Sequence, residues 1–288
     1  MTLPRFITMP GPVPDARVVS TLAHGLPLSL DLKSGLSLLD AVTQAFARAG
    51  FSSGVLDARG IGLARMAYVM PALSDTAQHA AFYSNTHRPR GGITLLSGCM
   101  TFGKREGAPF FHCHALWQEE DGHVHGGHLL PEDCIIGTTS RVEALGLADA
   151  HFIASPDPET NFTLFSPEPA PHKMHAGLVP ALAVRLRPNQ DFHAAIESLC
   201  VAQGWMQARI LGGVGSLIGA RFADGRIIEN FATEVFIRSG TIAPDASGKL
   251  MLDCEIGLVD FTGQTAQGRL ERGKNNVLMT FELVIAPI

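Results

Sequence analysis

The sequence predicts an α+β fold built from two tandem copies of one domain. Three observations predict it. Two helix-period segments far apart in the chain resemble each other. Each ends in a glycine followed by an aromatic residue. Alternating or β-branched segments that read as antiparallel hairpins follow both.

The first helix is read in SLLDAVTQAFARAG, Ser37 to Gly50. Leu38, Leu39, Val42, Phe46 and Ala49 fall at i, i+3/i+4 spacing and make one buried face. Ser37 is the N-cap, with Asp40 three residues on, and Gly50 is the stop. The second helix is read in DFHAAIESLCVAQG, Asp191 to Gly204. Phe192, Ile196 and Leu199 form the stripe, Asp191 caps it and Gly204 ends it. Phe51 and Trp205 follow the two glycines. A short segment closing on a glycine turn comes next in each copy, GVLDARGIG in the first and ARILGGVG in the second. Upstream, RFITMPGPVP echoes NFTLFSPEPAP; downstream, LLSG echoes FIRSG. The strand candidates include GGITLLSGCMTF, FHCHALW and VLMTFELVI. The first copy alone carries PALSDTAQHAAFYSNTHRPRGG, Pro71 to Gly92, a polar stretch bounded by Pro and Gly that reads as a longer loop. The junction is placed in ASPDPETN, Ala154 to Asn161, giving domains 1–155 and 156–288.

Composition narrows the class. Of 288 residues, 46% are hydrophobic and 17% charged, so the chain buries a large core. A net charge of −5 gives no general attraction to nucleic acid or to an anionic membrane. The five cysteines are odd in number and form no CxxC pair, against a disulfide framework or a cysteine zinc knuckle. The N-terminus lacks a charged start followed by an apolar run, and no stretch of about 18 apolar residues exists. A soluble cytoplasmic protein is expected.

The chemistry concentrates in FHCHALWQEEDGHVHGGHLLP, Phe111 to Pro131, which holds five of the twelve histidines. Aligned on Gly122 and Gly263, the second copy reads LDCEIGLVDFTGQTAQGRLER there. His112 becomes Asp253, His114 becomes Glu255 and His128 becomes Arg269, while Cys113, Gly127 and Leu129 keep Cys254, Gly268 and Leu270. The scaffold persists and the imidazoles do not, so the fold does not need them. Alternation puts His112 and His114 on one face of a strand, QEEDG makes the turn and HVHGGHLL returns. With Gln118 opposite His123, His128 faces Cys113 on the wrong side, and a β-bulge at Gly126–Gly127 brings it round. Three convergent imidazoles with an open position are the pattern of a catalytic zinc site. The bland alternative is a surface histidine cluster. His125 is open between a place beside this site and a solvated strand position.

At these residues the chain resembles a known family. HCHALWQEEDGHVHGGHL is similar to the signature hairpin of the PPC domain (plants and prokaryotes conserved, also written PCC): H-x-H, a polar turn with D-G, then G-G-H-L. The helix, the glycine turn and the LLSG and RSGTI strands match as well, over nearly all of both copies. The resemblance implies an antiparallel sheet flanked by helices, a trimer, and a metal on His112, His114 and His128, as in some prokaryotic members. It also implies an acidic residue before the central strand. That residue is Glu234 in the second copy; Ile93 stands there in the first. Plant relatives join this domain to AT-hook DNA-binding segments, and bacterial members are often labelled DNA-binding on that basis.

Other motifs carry less. RPRGG, Arg88 to Gly92, is half of an AT-hook core without its second Arg-Pro, and reads as a solvated loop. GGVGSLIG, Gly212 to Gly219, lacks dinucleotide spacing and reads as a tight structural turn. The run Glu119 to Asp121 is a hairpin tip. Arg59, on the turn ARGIG, is either an anion contact or a surface arginine. Three functions remain in view. Zinc or another divalent metal in the first copy could bind or transform a small molecule, as in a metal-dependent hydrolase or lyase. The chain could instead be a DNA-associated regulator, or a homo-oligomer that a metal stabilises.

Overall fold

The computed structural model describes residues 5–171 and 175–288. The first half runs through β1 (Val18–Leu32), α1 (Leu38–Arg48), β2 (Gly54–Asp57), β3 (Gly62–Arg65), β4 (Tyr68–Val69), β5 (Pro71–Ala72), β6 (Phe82–Tyr83), β7 (Ile93–Arg105), β8 (Ala108–Gln118), β9 (Val124–Leu129), β10 (Ile135–Thr138), β11 (Ser140–Leu147) and β12 (Ala150–Pro156). The second runs through β13 (Thr163–Pro169), β14 (Val179–Leu186), α2 (Phe192–Ala202), β15 (Ala208–Arg221), β16 (Ile227–Pro244), β17 (Leu250–Asp260), β18 (Thr265–Arg269) and β19 (Val277–Pro287).

Both helices form where the periodicity puts them. The Ser37 hydroxyl accepts from Asp40 N at 3.0 Å and the Asp191 carboxylate from Ala194 N at 2.7 Å, each satisfying an orphan donor of a first turn. Gly50 and Gly204 then leave the helices at φ 87° and 70°, where a side chain would be strained.

The expected helix-flanked α+β domain does not form. Among the described residues each half has one 11-residue helix, and seventeen strands share one hydrogen-bonded sheet network. The reason lies in what covers the second face of each sheet. The core of the first half holds Phe46, Phe102, Phe111 and Trp117; that of the second holds Phe192, Phe222 and Phe281. Between the halves lie Val55, Leu145, Phe152 and Val284, and a smaller cluster of Cys99, Leu116, Val214 and Phe236. Sheet therefore packs on sheet where helices were expected. Strand β19 shows the consequence: Phe281, Leu283 and Ile285 serve its own core, while Val284 faces the other half. A strand buried on both faces need not alternate.

One strand joins the two halves. β1 pairs with β14 from Val18 to Gly25 and with β11 from Gly25 to Leu32. The order β1–α1–β2–β7–β8–β9–β11 of the first half returns as β14–α2–β15–β16–β17–β18–β19 in the second. The glycine run read as a turn is instead part of β15. There, Gly213 N donates to Cys99 Sγ at 3.1 Å, and a Cβ on Gly212 would stand 2.9 Å from Val55 Cβ. These glycines let β15 approach the other half closely. All five cysteines are free and buried, and no helix among the described residues is long and apolar enough to cross a membrane.

The segment read as the junction forms the end of β12 and the turn into β13. Its Asp157 is buried and pairs with Arg185 at 2.8 Å and Arg187 at 2.7 Å, and accepts from Thr160 N at 3.0 Å. Burial works against its charge, but the two guanidiniums and the amide prevail and hold the carboxyl below its usual range. A depressed folded pKa contributes stability that is complete above the unfolded value, about 3.9, and fades as pH falls through the folded one. Asp157→Asn is therefore expected to cost about 3–5 kcal/mol near neutrality, by stranding buried guanidiniums. Urea titrations from pH 7 down to 3 should show the gap between variant and parent closing below about pH 4.

Candidate metal centre

Strand β8 separates two environments. Phe111, Cys113, Ala115 and Trp117 point into the core of the first half. His112, His114 and Leu116 alternate with them and point toward the second half. Strand β9 brings the third imidazole. His114 pairs directly with His128, and Gln118 with Val124, in an unbroken ladder. The register assumed from the sequence was one residue off, and no bulge is needed to turn His128 toward the others. The two glycines before it have a different purpose. A Cβ on Gly126 would meet Leu116 at 2.6 Å and Val259 of the second half at 3.0 Å; one on Gly127 would meet the Val69 carbonyl at 2.6 Å. Neighbouring backbone and side chains occupy the space a larger residue would need.

His112, His114 and His128 each offer one ligand atom, all within 4.8 Å of one another. His112 Nε2 and His114 Nε2 are 2.9 Å apart. Nitrogens bound to one tetrahedral zinc stand about 3.3 Å apart, a value these spacings bracket. The outer nitrogens of the two β8 histidines are already engaged, whereas His128 Nδ1 is buried without a hydrogen-bond partner. His112 Nδ1 contacts Glu282 Oε1, and His114 Nδ1 lies 3.0 Å from the Val235 carbonyl. Such bonds fix the tautomer and leave the Nε2 lone pair for a metal. Burial, then the neighbouring imidazoles, push the pKa of His114 and of His128 well below the ordinary value, so both rings stay neutral.

Both carboxylates at this site come from the second half. Glu282 lies on β19 and Glu234 on β16. Glu234 Oε1 is 4.0 Å from His114 Nε2. It lies near the His128 amide but makes no hydrogen bond of normal geometry, and burial raises its pKa well above the ordinary value. The acidic residue that the first copy lacks is thus supplied from the second. A buried carboxylate without a partner, beside three imidazoles aimed at one point, fits a cation. Glu282 and the phenol of Tyr83 escaped the sequence reading. Tyr83 sits on the insertion taken for a loop, where β5 and β6 form a small ribbon. Its ring is 5.5 Å from that of His128. Burial, then Glu234 and Glu282, push its hydroxyl pKa up.

The other proposed residues lie elsewhere. His125 sits on the opposite face of β9 from His128 and pairs with Asp121 at 3.1 Å. Arg59 pairs with Asp57 at 3.0 Å in a separate cleft beside Arg238 and Glu255. Arg88, of the partial AT-hook, is exposed and pairs with Asp133 at 2.9 Å. At the hairpin tip, Glu119 accepts from the Trp117 indole at 3.0 Å. In the second half, Glu255 faces Arg269 as His114 faces His128, and Arg269 Nε pairs with Asp253 at 2.8 Å. An ion pair replaces the imidazoles there.

Fold and site together define a protein of two like β-rich halves, one bearing a histidine triad and the other setting two carboxylates beside it. The chain belongs to the Plants and Prokaryotes Conserved (PCC) domain family, whose model matches residues 20–145 and 176–288. No curated protein matches it. Among solved structures, it is similar to a plant- and prokaryote-conserved protein of Pyrococcus horikoshii (17% identity, 51% of this chain and 94% of that one, TM-score 0.39). It is also similar to a metal-containing protein of Archaeoglobus fulgidus (20%, 51% and 98%, TM-score 0.42). A protein of Ralstonia eutropha JMP134 with a provisional DNA-binding label matches as well (19%, 48% and 89%, TM-score 0.37).

Gly127→Ala should lower stability by about 1–3 kcal/mol, because the added carbon meets backbone that cannot step aside. The check is the urea midpoint against the parent protein.

Proposed function

We propose that His112, His114 and His128 hold one divalent metal ion, zinc in the first instance, as the centre of a site that binds and transforms a small molecule. The observation that carries this reading is the pairing of outer nitrogens with Glu282 and the Val235 carbonyl, which aims both Nε2 atoms of β8 inward. A bound metal supplies Lewis acidity toward a carbonyl or a water molecule. The chain's own residues do the rest. Glu282 orients His112, and the second sheet keeps bulk water from His114. Glu234 stands 4.0 Å from His114 as the acid or base able to hold a proton at the reacting centre. Hydrolysis and elimination both need that combination. A purely stabilising metal has no use for an unpartnered carboxylate beside it.

The reading includes self-association, as the trimer that the family resemblance implies. Support comes from the face of the second half that corresponds to the histidine face. Its Arg269 and Asp253 side chains are 60% and 49% exposed, whereas His114 in the first half is buried. Light scattering on the purified protein is expected to give three chains per particle.

Metal content decides the central point. Protein purified without a histidine tag should carry about one zinc or similar ion per chain, and His112→Ala/His114→Ala should carry none. Glu282→Gln should remain folded and bind zinc about 10–100-fold more weakly, as removal of an orienting partner does. Competition with a chromogenic chelator measures both. Full zinc affinity in Glu282→Gln would remove the carboxylate from the proposed centre.

A further inference from the structure

A cavity of ≈ 490 Å³ opens onto the outer side of the site, with His112 and His128 in its wall. A second space of ≈ 60 Å³ lies behind, between His112, His114 and Glu234, with room for a few water molecules. The outer cavity is of a size that takes a small organic ligand. Its walls are mostly apolar: Val69, Phe110, Phe162, Leu164 and Phe165. Tyr83 closes the end next to His128, its ring packed edge-on against Phe162 at 5.7 Å.

One cation lines this cavity, Arg105 at the end of β7. Its guanidinium lies 4.0 Å over the Phe110 ring, and among the described residues no carboxylate pairs with it. Asp133, on the rim, is taken by Arg88, and Glu132 stands beside it. An arginine stacked on an aromatic face is held in place with its N–H fork free, which suits a planar carboxylate. The strand geometry sets the spacing. Phe110 is two residues from His112 on the same face of β8, about 7 Å along the strand. Arg105 is four residues from Thr101, which pairs with His112, so its Cα stands roughly 13 Å along β7 from that pair, and its guanidinium reaches over Phe110, the next residue toward the histidines on this face. A single cation beside two acids does not match a doubly charged phosphate.

We infer that the cavity takes a monocarboxylate with an apolar, aromatic-sized body, its carboxylate on Arg105, its body over Phe110 and Phe165, and its reacting end at the histidines. The inference rests on the histidines being the reacting end, and it names the substrate class for that site. No sequence motif marks Arg105; only the fold brings it to the same cavity as His112.

Calorimetric titration with 5-phenylpentanoate and with 5-phenylpentanamide tests it, on parent protein and on Arg105→Gln, with zinc content measured on each sample. The acid is expected to bind the parent about tenfold or more tightly than the amide, the effect of a charge-assisted bond to one guanidinium. Arg105→Gln should erase that preference and leave zinc content and melting temperature unchanged, since Arg105 is exposed and ligates nothing. Equal affinity for acid and amide, or a preference that survives in Arg105→Gln, would overturn the inference while leaving the metal reading intact. Absence of zinc from the parent would instead sink the metal reading, and shows in a separate measurement.

Discussion

The placement of every group at the site depends on β1, which is hydrogen-bonded to both halves at once. Its first part belongs to the sheet of the second half and its last part to that of the first, with Gly25 common to the two ladders. Antiparallel pairing fixes register, and register fixes which face each side chain takes. Once β1 has locked both sheets, their inner faces lie against each other. The face of β8 that would otherwise meet solvent meets β16 and β19 instead. His114 then finds the Val235 carbonyl, and His112 finds Glu282. Neither contact is encoded near the histidines in sequence.

Local features of the chain were readable because local physics produces them. The helix stripes, the Ser37 and Asp191 caps and the left-handed glycines each depend on a few neighbouring residues. The three histidines were readable by comparing the chain with itself, since a residue lost from one copy of a persistent scaffold is not there for folding. Their convergence was foreseen, but through the wrong geometry. A hairpin register cannot be set from turn residues alone when the turn is longer than two residues. The structure closes this hairpin with Glu119 N donating to His123 O, one step from the assumed pairing.

What stayed hidden depends on contacts across the whole fold. Apolar runs such as VLMTFELVI were read as strands, but nothing in them says whether a helix or a second sheet covers their other face. That choice overturned the helix-flanked architecture. Glu234 was visible only as a residue belonging to the second copy, and Glu282 not at all, because their relevance comes from sheet stacking. Tyr83 was masked by the polar, Pro- and Gly-bounded stretch around it, whose composition is that of an ordinary loop. Arg59 and His125 were left open by the sequence, each between a place at the site and a surface position. Each sits on a suggestive local motif, and each pairs with a carboxylate close by in sequence, Asp57 two residues before Arg59 and Asp121 four before His125.

The division of the site between two halves of one polypeptide changes how its completeness responds to dilution. Where separate subunits share a pocket, falling concentration dissociates the pocket along with the assembly. Here Glu234 and Glu282 are tethered to the histidines they stand beside. Their effective concentration is set by the covalent path through β12, β13 and β14, and not by how many molecules are in solution. The three histidines and the carboxylates beside them therefore stay assembled in a lone chain, whatever larger particle that chain joins.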